Sequence, residues 1–391
     1  MGEDVVIIGA GQAAAQVAAS LRQGGLHGSI LMIGDEPHLP YQRPPLSKKF
    51  LIEGGAPESL ALRAQSFWRD QDVRLVLGTS VGSVDVRQRR VLLHDGREIC
   101  CGTLVFATGT RARALPVPGV DLPGVFSLRR IDDVRRLRPA LDSARRVAIV
   151  GGGYIGLEVA AAMRSEGREV TVIETEARVM KRVTGADMSA FFEAKHRVRG
   201  VDIRLGARLT AIEERSGTLV VHASTGEPHA VDVVLVATGA RANDELAAAA
   251  GLACEDGILV DELARASAPL VYAIGDCARF PSRRYGRRLR LECVQHAIDQ
   301  AKAAAAAILG AGEPYDPVPW FWSDQYDLKL QIAGIMDDHD SAEVNGDPAT
   351  AAFSVEYRRA GRLIAVDAVN NARAYMLGRR RIAEETGDGA R

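Results

Sequence analysis

Cysteine is scarce and unpatterned here: Cys100, Cys101, Cys254, Cys277 and Cys293 are five in 391 residues, an odd number with no C-x-x-C spacing. That excludes a disulfide framework and points to free thiols in a reducing cytoplasm. Eight histidines are scattered without an H-x-x-x-H pair, which argues against a metal held by the protein. Neither charge sign is in excess: 49 basic against 50 acidic residues leave a net charge of −1. General nucleic-acid binding wants a strongly basic domain and is disfavoured. No apolar run approaches the ~18 residues of a membrane span. The longest candidate, Ala303 to Leu309, is short, and the acidic start Met1-Gly2-Glu3-Asp4 does not read as a signal peptide. What remains is an ordinary globular composition, 47% hydrophobic and 25% charged, long enough for two or three domains at ~150 residues each.

The chain opens on a β-branched run, Val5-Val6-Ile7-Ile8, which stops at Gly9-Ala10-Gly11 and is followed by helix formers from Ala15 to Arg22. A second apolar run, Ile30 to Ile33, ends at Gly34-Asp35. Strand, glycine turn, helix, strand and acid make the first β-α-β of a dinucleotide-binding fold. The pattern returns at Val147 to Val150, Gly151-Gly152-Gly153, a helix from Leu157 to about Glu166, and Glu169 to Ile173 ending at Glu174. Two strand-plus-Ala-Thr-Gly segments, Ala107-Thr108-Gly109 and Ala237-Thr238-Gly239, each lie downstream of one unit, so a whole domain is repeated. A later strand, Val271 to Ile274, ends at Gly275-Asp276, and helical sequence runs from Val294 to Leu309. After three prolines the texture becomes strand-rich, and from Glu384 the charged end is expected to fray. The fold expected is α/β. Residues 1–114 and 241–318 form a discontinuous first dinucleotide domain, 115–240 a second, and 319–391 a small C-terminal α+β domain.

A pyrophosphate must sit close to backbone N–H groups, and only glycine lets the main chain come that near; the following helix adds unpaired donors and a partial positive charge. Gly9 and Gly11 with Ala13 or Ala14, and Gly151 and Gly153 with Gly156, fill these positions. Ile155 lies within the second glycine turn, and Gly109 and Gly239 close the paired Ala-Thr-Gly turns. Asp35 and Glu174 end the second strands, where a carboxylate accepts hydrogen bonds from ribose hydroxyls and repels a 2′-phosphate. Glu174 therefore favours NADH over NADPH, with Arg178 and Arg182 nearby working against it. Two dinucleotide sites imply a flavin and a nicotinamide cofactor. The flavin belongs to the first site, because Asp276 ends a late strand that can return to that domain and bind a ribitol chain.

Over essentially its whole length the sequence resembles the two-dinucleotide-domain flavoprotein reductases of the glutathione-reductase-like superfamily. Within them it resembles the ferredoxin reductases of cytochrome P450 and Rieske oxygenase systems. The residues that carry this are Tyr41-Gln42-Arg43-Pro44-Pro45-Leu46-Ser47-Lys48, Leu128-Arg129, Gly275-Asp276 and Trp320-Phe321-Trp322-Ser323-Asp324-Gln325-Tyr326. The resemblance implies FAD contacts at Ala13, Asp35, Arg43, Lys48, Val81, Ala107, Thr108, Arg129, Asp276 and Val294. It implies a catalytic set of Lys48 beside the flavin ring, Glu158 paired with it, and Trp320 near the flavin and nicotinamide. Val294-Gln295-His296 departs from the Trp-Gln-Asn common in the family.

Hydride transfer from NADH to flavin, then single-electron release, needs aligned rings rather than a side-chain nucleophile. Residues 36–50 lack the cysteines on which disulfide reductases of this architecture depend, so thiol-relay chemistry is not expected. The acceptor expected is an acidic [2Fe–2S] ferredoxin, steered by a basic patch of Arg283, Arg284, Arg287, Arg288 and Arg290, with Arg379, Arg380 and Arg381 a second basic run. No membrane or nucleic-acid partner is expected, and oligomerisation stays open between monomer and weak dimer. The alternatives are an apoptosis-inducing-factor-like binding module and a donor to rubredoxin or nitrite reductase.

Overall fold

The computed structural model describes residues 2–387. By their contacts these divide into two compact units. The first comprises Met1–Gln42, Ala56–Arg111 and Arg241–Pro317; the second comprises Arg43–Gly55, Ala112–Ala240 and Val318–Arg391. This partition cuts the chain differently from the three-way division read from sequence. The segment carrying Lys48 groups with the second dinucleotide fold, and the C-terminal strands belong to the same unit.

In the first unit the strand Gly2–Ile8 lies between Ile30–Gly34 and Glu98–Phe106, all parallel, with Val6 level with Leu31 and Leu104. Val73–Leu77 extends one edge, the antiparallel Arg90–Leu93 and Val81–Asp85 extend the other, and Val271–Ala273 also pairs with Glu98–Phe106. These strands are continuous apolar runs because helices cover the parallel sheet. Gln12–Gln23 packs on Val294–Ile308 through small residues, among them Ala14, Ala18, Ala301, Ala304 and Ala305, so the helices approach closely.

The second unit repeats the plan. Five parallel strands run in the order Val201–Arg204, Glu169–Ile173, Arg146–Val150, Val233–Val236, Val125–Ser127. The same unit holds an antiparallel sheet ordered Trp320–Gln325, Leu328–Gly334, Arg362–Val369, Ala352–Arg359, Ser341–Asp347. The helix Ala372–Gly387 covers it through Tyr375 and Ile382. Glu384 and Glu385 lie inside that helix, and Glu385 accepts the Leu363 N–H at 2.8 Å, so the chain is still tied down where fraying was expected. Residues 388–391 lie outside the described residues. No described helix is long and apolar enough to cross a membrane.

Tyr357 makes one of the polar links that join the C-terminal sheet to the nucleotide fold inside this unit. The Tyr357 hydroxyl accepts the Gly185 N–H at 3.0 Å, at the start of the helix Ala186–Val198, and donates to Asp367 at 2.7 Å. A hydroxyl from another element thus satisfies a donor that the helix cannot pair itself. Gly185 is required there, because a Cβ would collide with the Tyr357 ring. Asp367 is fully buried, its second oxygen has no partner among the described residues, and burial pushes its carboxyl up to about 7. A raised carboxyl favours the fold below its unfolded range, near 4, and that contribution is lost as pH rises through about 7. Asp367→Asn is fixed in the neutral form. Thermal melts should therefore coincide with wild type near pH 4, and the variant should melt roughly 5 °C higher by pH 8.

Candidate active site and cofactor cradles

Two glycine turns are built alike. Gly9 (φ +115°) donates its N–H to the Ile33 carbonyl, and a Cβ there would collide with the carbonyl of Ala107, whose own N–H bonds Ile8. Gly151 (φ +111°) donates to Ile173, and its Cβ would collide with Ala237, whose N–H bonds Val150. The Ala-Thr-Gly echoes in the sequence are thus the segments that press on each turn. At Gly11 and Gly153, by contrast, a Cβ would meet nothing within 4 Å, so the backbone is open on that side. Each of these begins a helix with no side-chain cap and no acid in its first turn. Gly156 lies against the Gly151 carbonyl, whereas its counterpart Ala14 is buried with room for its methyl. Both turns therefore fit a dinucleotide pyrophosphate: open backbone at Gly11 and Gly153, helix N–H groups without a side-chain cap, and no acid in the first helical turn.

The surrounding residues differ between turns. In the first unit Thr108 and Asn243 exchange hydrogen bonds at 2.6 and 2.8 Å, and Gly109 accepts the Asn243 N–H at 3.0 Å. Thr110 donates to Asp276 at 3.3 Å, while Gly275 (φ +74°) packs against Ala13 and bonds buried Gln300 at 2.8 Å. Val294 opens a helix whose N-terminus has no side-chain cap. Asp35 is exposed and Val81 half-buried. His296, in the segment that departs from the family pattern, faces inward: it stacks on Phe280, bonds the Tyr315 hydroxyl at 2.9 Å, and burial pushes it down to about 4.

In the second unit Glu174 is fixed over its turn, accepting Gly152 N–H at 2.6 Å and Glu176 N–H at 2.8 Å. Arg178 is occupied by the Thr184 carbonyl and the Ser189 hydroxyl, both at 2.6 Å, which removes one of the two arginines set against Glu174. Arg182 does lie at the turn, beside Gly239. Ile155 is 41% exposed at the helix opening. Arg43 donates to the Arg129 carbonyl at 2.7 Å, bringing those two together.

The most ordered cluster surrounds Glu158. Lys48 follows the short 3-10 turn Pro44–Ser47, and its Nζ lies 3.0 Å from Glu158 Oε1. Ser47 donates to Oε2 at 2.6 Å and Ser323 donates to Oε1 at 2.7 Å. Lys48 is 23% exposed and the carboxylate 5%. A carboxylate is buried at bearable cost only when paired and fully hydrogen-bonded, and three donors meet that condition. Ser47 and Ser323 lie inside recognisable motifs, yet no spacing in the sequence assigns them to Glu158. The structure does not bring Trp320 into this cluster. Strand alternation turns Phe321 and Ser323 toward Tyr154 and Glu158, while Trp320 packs with Trp322, Tyr375 and the Arg379 guanidinium.

Within the arginine run the members differ in exposure, Arg283, Arg287 and Arg288 being exposed. Arg290 is 10% exposed and pairs with Glu292 at 2.7 Å and Asp256 at 3.3 Å, so its charge is neutralised within the fold. Arg288 donates to the Val260 carbonyl and Arg283 pairs with Glu262 at 3.0 Å. In the second run Arg380 pairs with Glu384 and Arg381 with Glu356. Burial raises the thiols of Cys101 and Cys254 to about 11 and of Cys293 to about 12, and Cys277 is also raised, so none of these four is a thiolate at neutral pH.

Residues 3–301 match the family described as pyridine nucleotide-disulphide oxidoreductase, and residues 320–390 match one described as reductase C-terminal. A ferredoxin–NAD(P)(+) reductase of Sphingomonas sp is 44% identical over 96% of this chain and 92% of its own length. A rubredoxin–NAD(+) reductase of Pseudomonas putida is 38% identical over 94% of this chain and 95% of its own. The solved covalent putidaredoxin reductase–putidaredoxin complex includes a chain that is 39% identical, with a TM-score of 0.94, covering 99% of this chain and 96% of that one. With its two pyrophosphate cradles and its C-terminal sheet, the chain belongs to the pyridine nucleotide-disulphide oxidoreductase family and is an oxidoreductase similar to the ferredoxin reductases.

Proposed function

We propose that this chain is an NADH-dependent FAD protein that reduces a [2Fe–2S] ferredoxin serving a cytochrome P450 or Rieske oxygenase. The observation that carries the reading is the pair of complete cradles in one chain. FAD, when bound, accepts a hydride from NADH and releases electrons singly. The first cradle, with Asp276, Asp35 and the uncapped helix at Val294, suits the flavin nucleotide. The second, with Glu174 over its turn, suits NADH, because a carboxylate there bonds ribose hydroxyls and repels a 2′-phosphate. The family resemblance implies Lys48 beside the flavin ring, and Glu158 holds its ammonium in one place, which suits a cation that would meet charge redistributed during hydride transfer. The raised thiols favour electrons leaving without a thiol relay. The five free cysteines agree with a reducing compartment such as the cytoplasm.

The rubredoxin reductase likeness supports a second reading with the same chemistry and a different acceptor. Anaerobic mixing with NADH, then with oxidised ferredoxin or rubredoxin, separates the two. Fast flavin bleaching followed by ferredoxin reduction supports the first. Bleaching with transfer only to rubredoxin supports the second, and no bleaching by NADH defeats both.

Three outcomes are expected. Lys48→Ala lowers the limiting rate of flavin reduction roughly tenfold or more and changes NADH affinity by about twofold at most, read by stopped-flow absorbance. Glu174→Ala lowers kcat/KM for NADH roughly tenfold and narrows the preference over NADPH, since it removes both the ribose acceptor and the repulsion. Arg283→Glu with Arg288→Glu raises the KM for ferredoxin roughly three- to tenfold at low ionic strength, an effect that fades in 0.5 M salt. No change at low salt refutes docking on that loop.

A further inference from the structure

The Glu158 cluster does not end at Ser323. Ser323 Oγ accepts from the Gln325 amide nitrogen at 3.2 Å, and Gln325 Oε1 lies 2.9 Å from His196 Nε2. His196 Nδ1 lies 3.2 Å from the Tyr326 hydroxyl. Ser323, Gln325 and His196 are wholly buried. One carboxylate fixes every proton along this line. Glu158 can only accept, so Ser323 must donate its hydroxyl hydrogen to it and can then only accept from Gln325. The Gln325 amide is thereby oriented with its oxygen toward His196, which must carry its proton on Nε2 and leave Nδ1 to accept from Tyr326. Burial agrees with this order: it pushes His196 down to about 4 and Tyr326 up to about 12, so the imidazole is neutral and the phenol protonated.

The outer end is anchored. Tyr326 sits in the hairpin turn at φ +57°, the Arg199 guanidinium lies 4.3 Å from its ring centroid, and Arg199 pairs with Asp327 at 2.6 Å. We infer that Ser323, Gln325 and His196 are positioning residues, a directed hydrogen-bond chain that fixes the Glu158 carboxylate and, through it, the Lys48 ammonium. This rests on the role proposed above for Lys48. The chain holds rather than conducts: a proton crosses an amide only through its imidic acid form, so Gln325 interrupts any relay.

The test uses the full-length protein and two readouts. The first needs no cofactor chemistry: ring ¹⁵N shifts of His196 should report a neutral Nε2–H imidazole from pH 5.5 to 8, and Gln325→Leu should abolish that pattern. An Nδ1–H tautomer in wild type overturns the proposal. The second is stopped-flow reduction by NADH. Ser323→Ala and Gln325→Leu should lower the limiting rate roughly tenfold, with NADH affinity within about twofold. Ser323→Thr, which keeps the hydroxyl, should restore the rate to within about twofold. If Ser323→Ala and Gln325→Leu reduce at the wild-type rate while Lys48→Ala is slow, the chain is packing only and the proposal fails. If Lys48→Ala is itself as fast as wild type, the proposed role of Lys48 fails first, and the positioning proposal falls with it. Should Ser323→Ala not fold, Gln325→Leu alone decides.

Discussion

A carboxylate out of water demands partners from wherever the chain can supply them, and Glu158 draws them from two distant segments. Ser47 and Lys48 come from the 3-10 turn, Ser323 from the C-terminal sheet, and Glu158 itself from the second turn of a glycine-turn helix. Removing one partner would leave a buried charge short of a donor, which is far costlier than losing an exposed pair. Residues 43–55 and 318–391, which supply these donors, group with the second dinucleotide fold. The need for donors accounts for the order beyond Ser323, since each donor is oriented by what it must give away.

The two dinucleotide folds solve one problem with slightly different residues. Each strand ends in a glycine over which the carbonyl of an Ala-Thr-Gly turn closes, and each leaves the glycine two positions on, Gly11 or Gly153, bare. The difference between Ala14 and Gly156 is one methyl group, accommodated in the first fold and excluded in the second by the Gly151 carbonyl. The helix–strand distance, rather than the ligand, thus decides that position.

Much of this was legible in the sequence, for a physical reason. Glycines at positive φ and apolar parallel strands are local signatures, so both cradles, their acids and the helix at Val294 read directly. The Lys48–Glu158 pair came from resemblance to a known family. What could not be read depends on contacts between distant segments. Ser47 and Ser323 look like ordinary motif serines until the carboxylate is placed between them. Arg290 looks like one more exposed cation in a run, yet it is held between Asp256 and Glu292. Arg178 and Arg182 both follow Glu174 closely in sequence, and only the fold separates a structural arginine from one beside Gly239. The resemblance sets Trp320 near the flavin and nicotinamide, and its neighbours Trp322, Tyr375 and Arg379 are contacts that no motif spacing supplies.

The tyrosine that closes the start of the helix at Gly185 has an evolutionary consequence. Tyr357 belongs to the C-terminal sheet, yet its hydroxyl satisfies a backbone donor of the nucleotide fold, and Gly185 has given up its side chain to admit the ring. Each side has been cut to fit the other. The C-terminal segment is therefore not an exchangeable cassette: a graft from a distant relative would have to bring a ring of the same reach to the same helix end, or leave that end both uncapped and hollow.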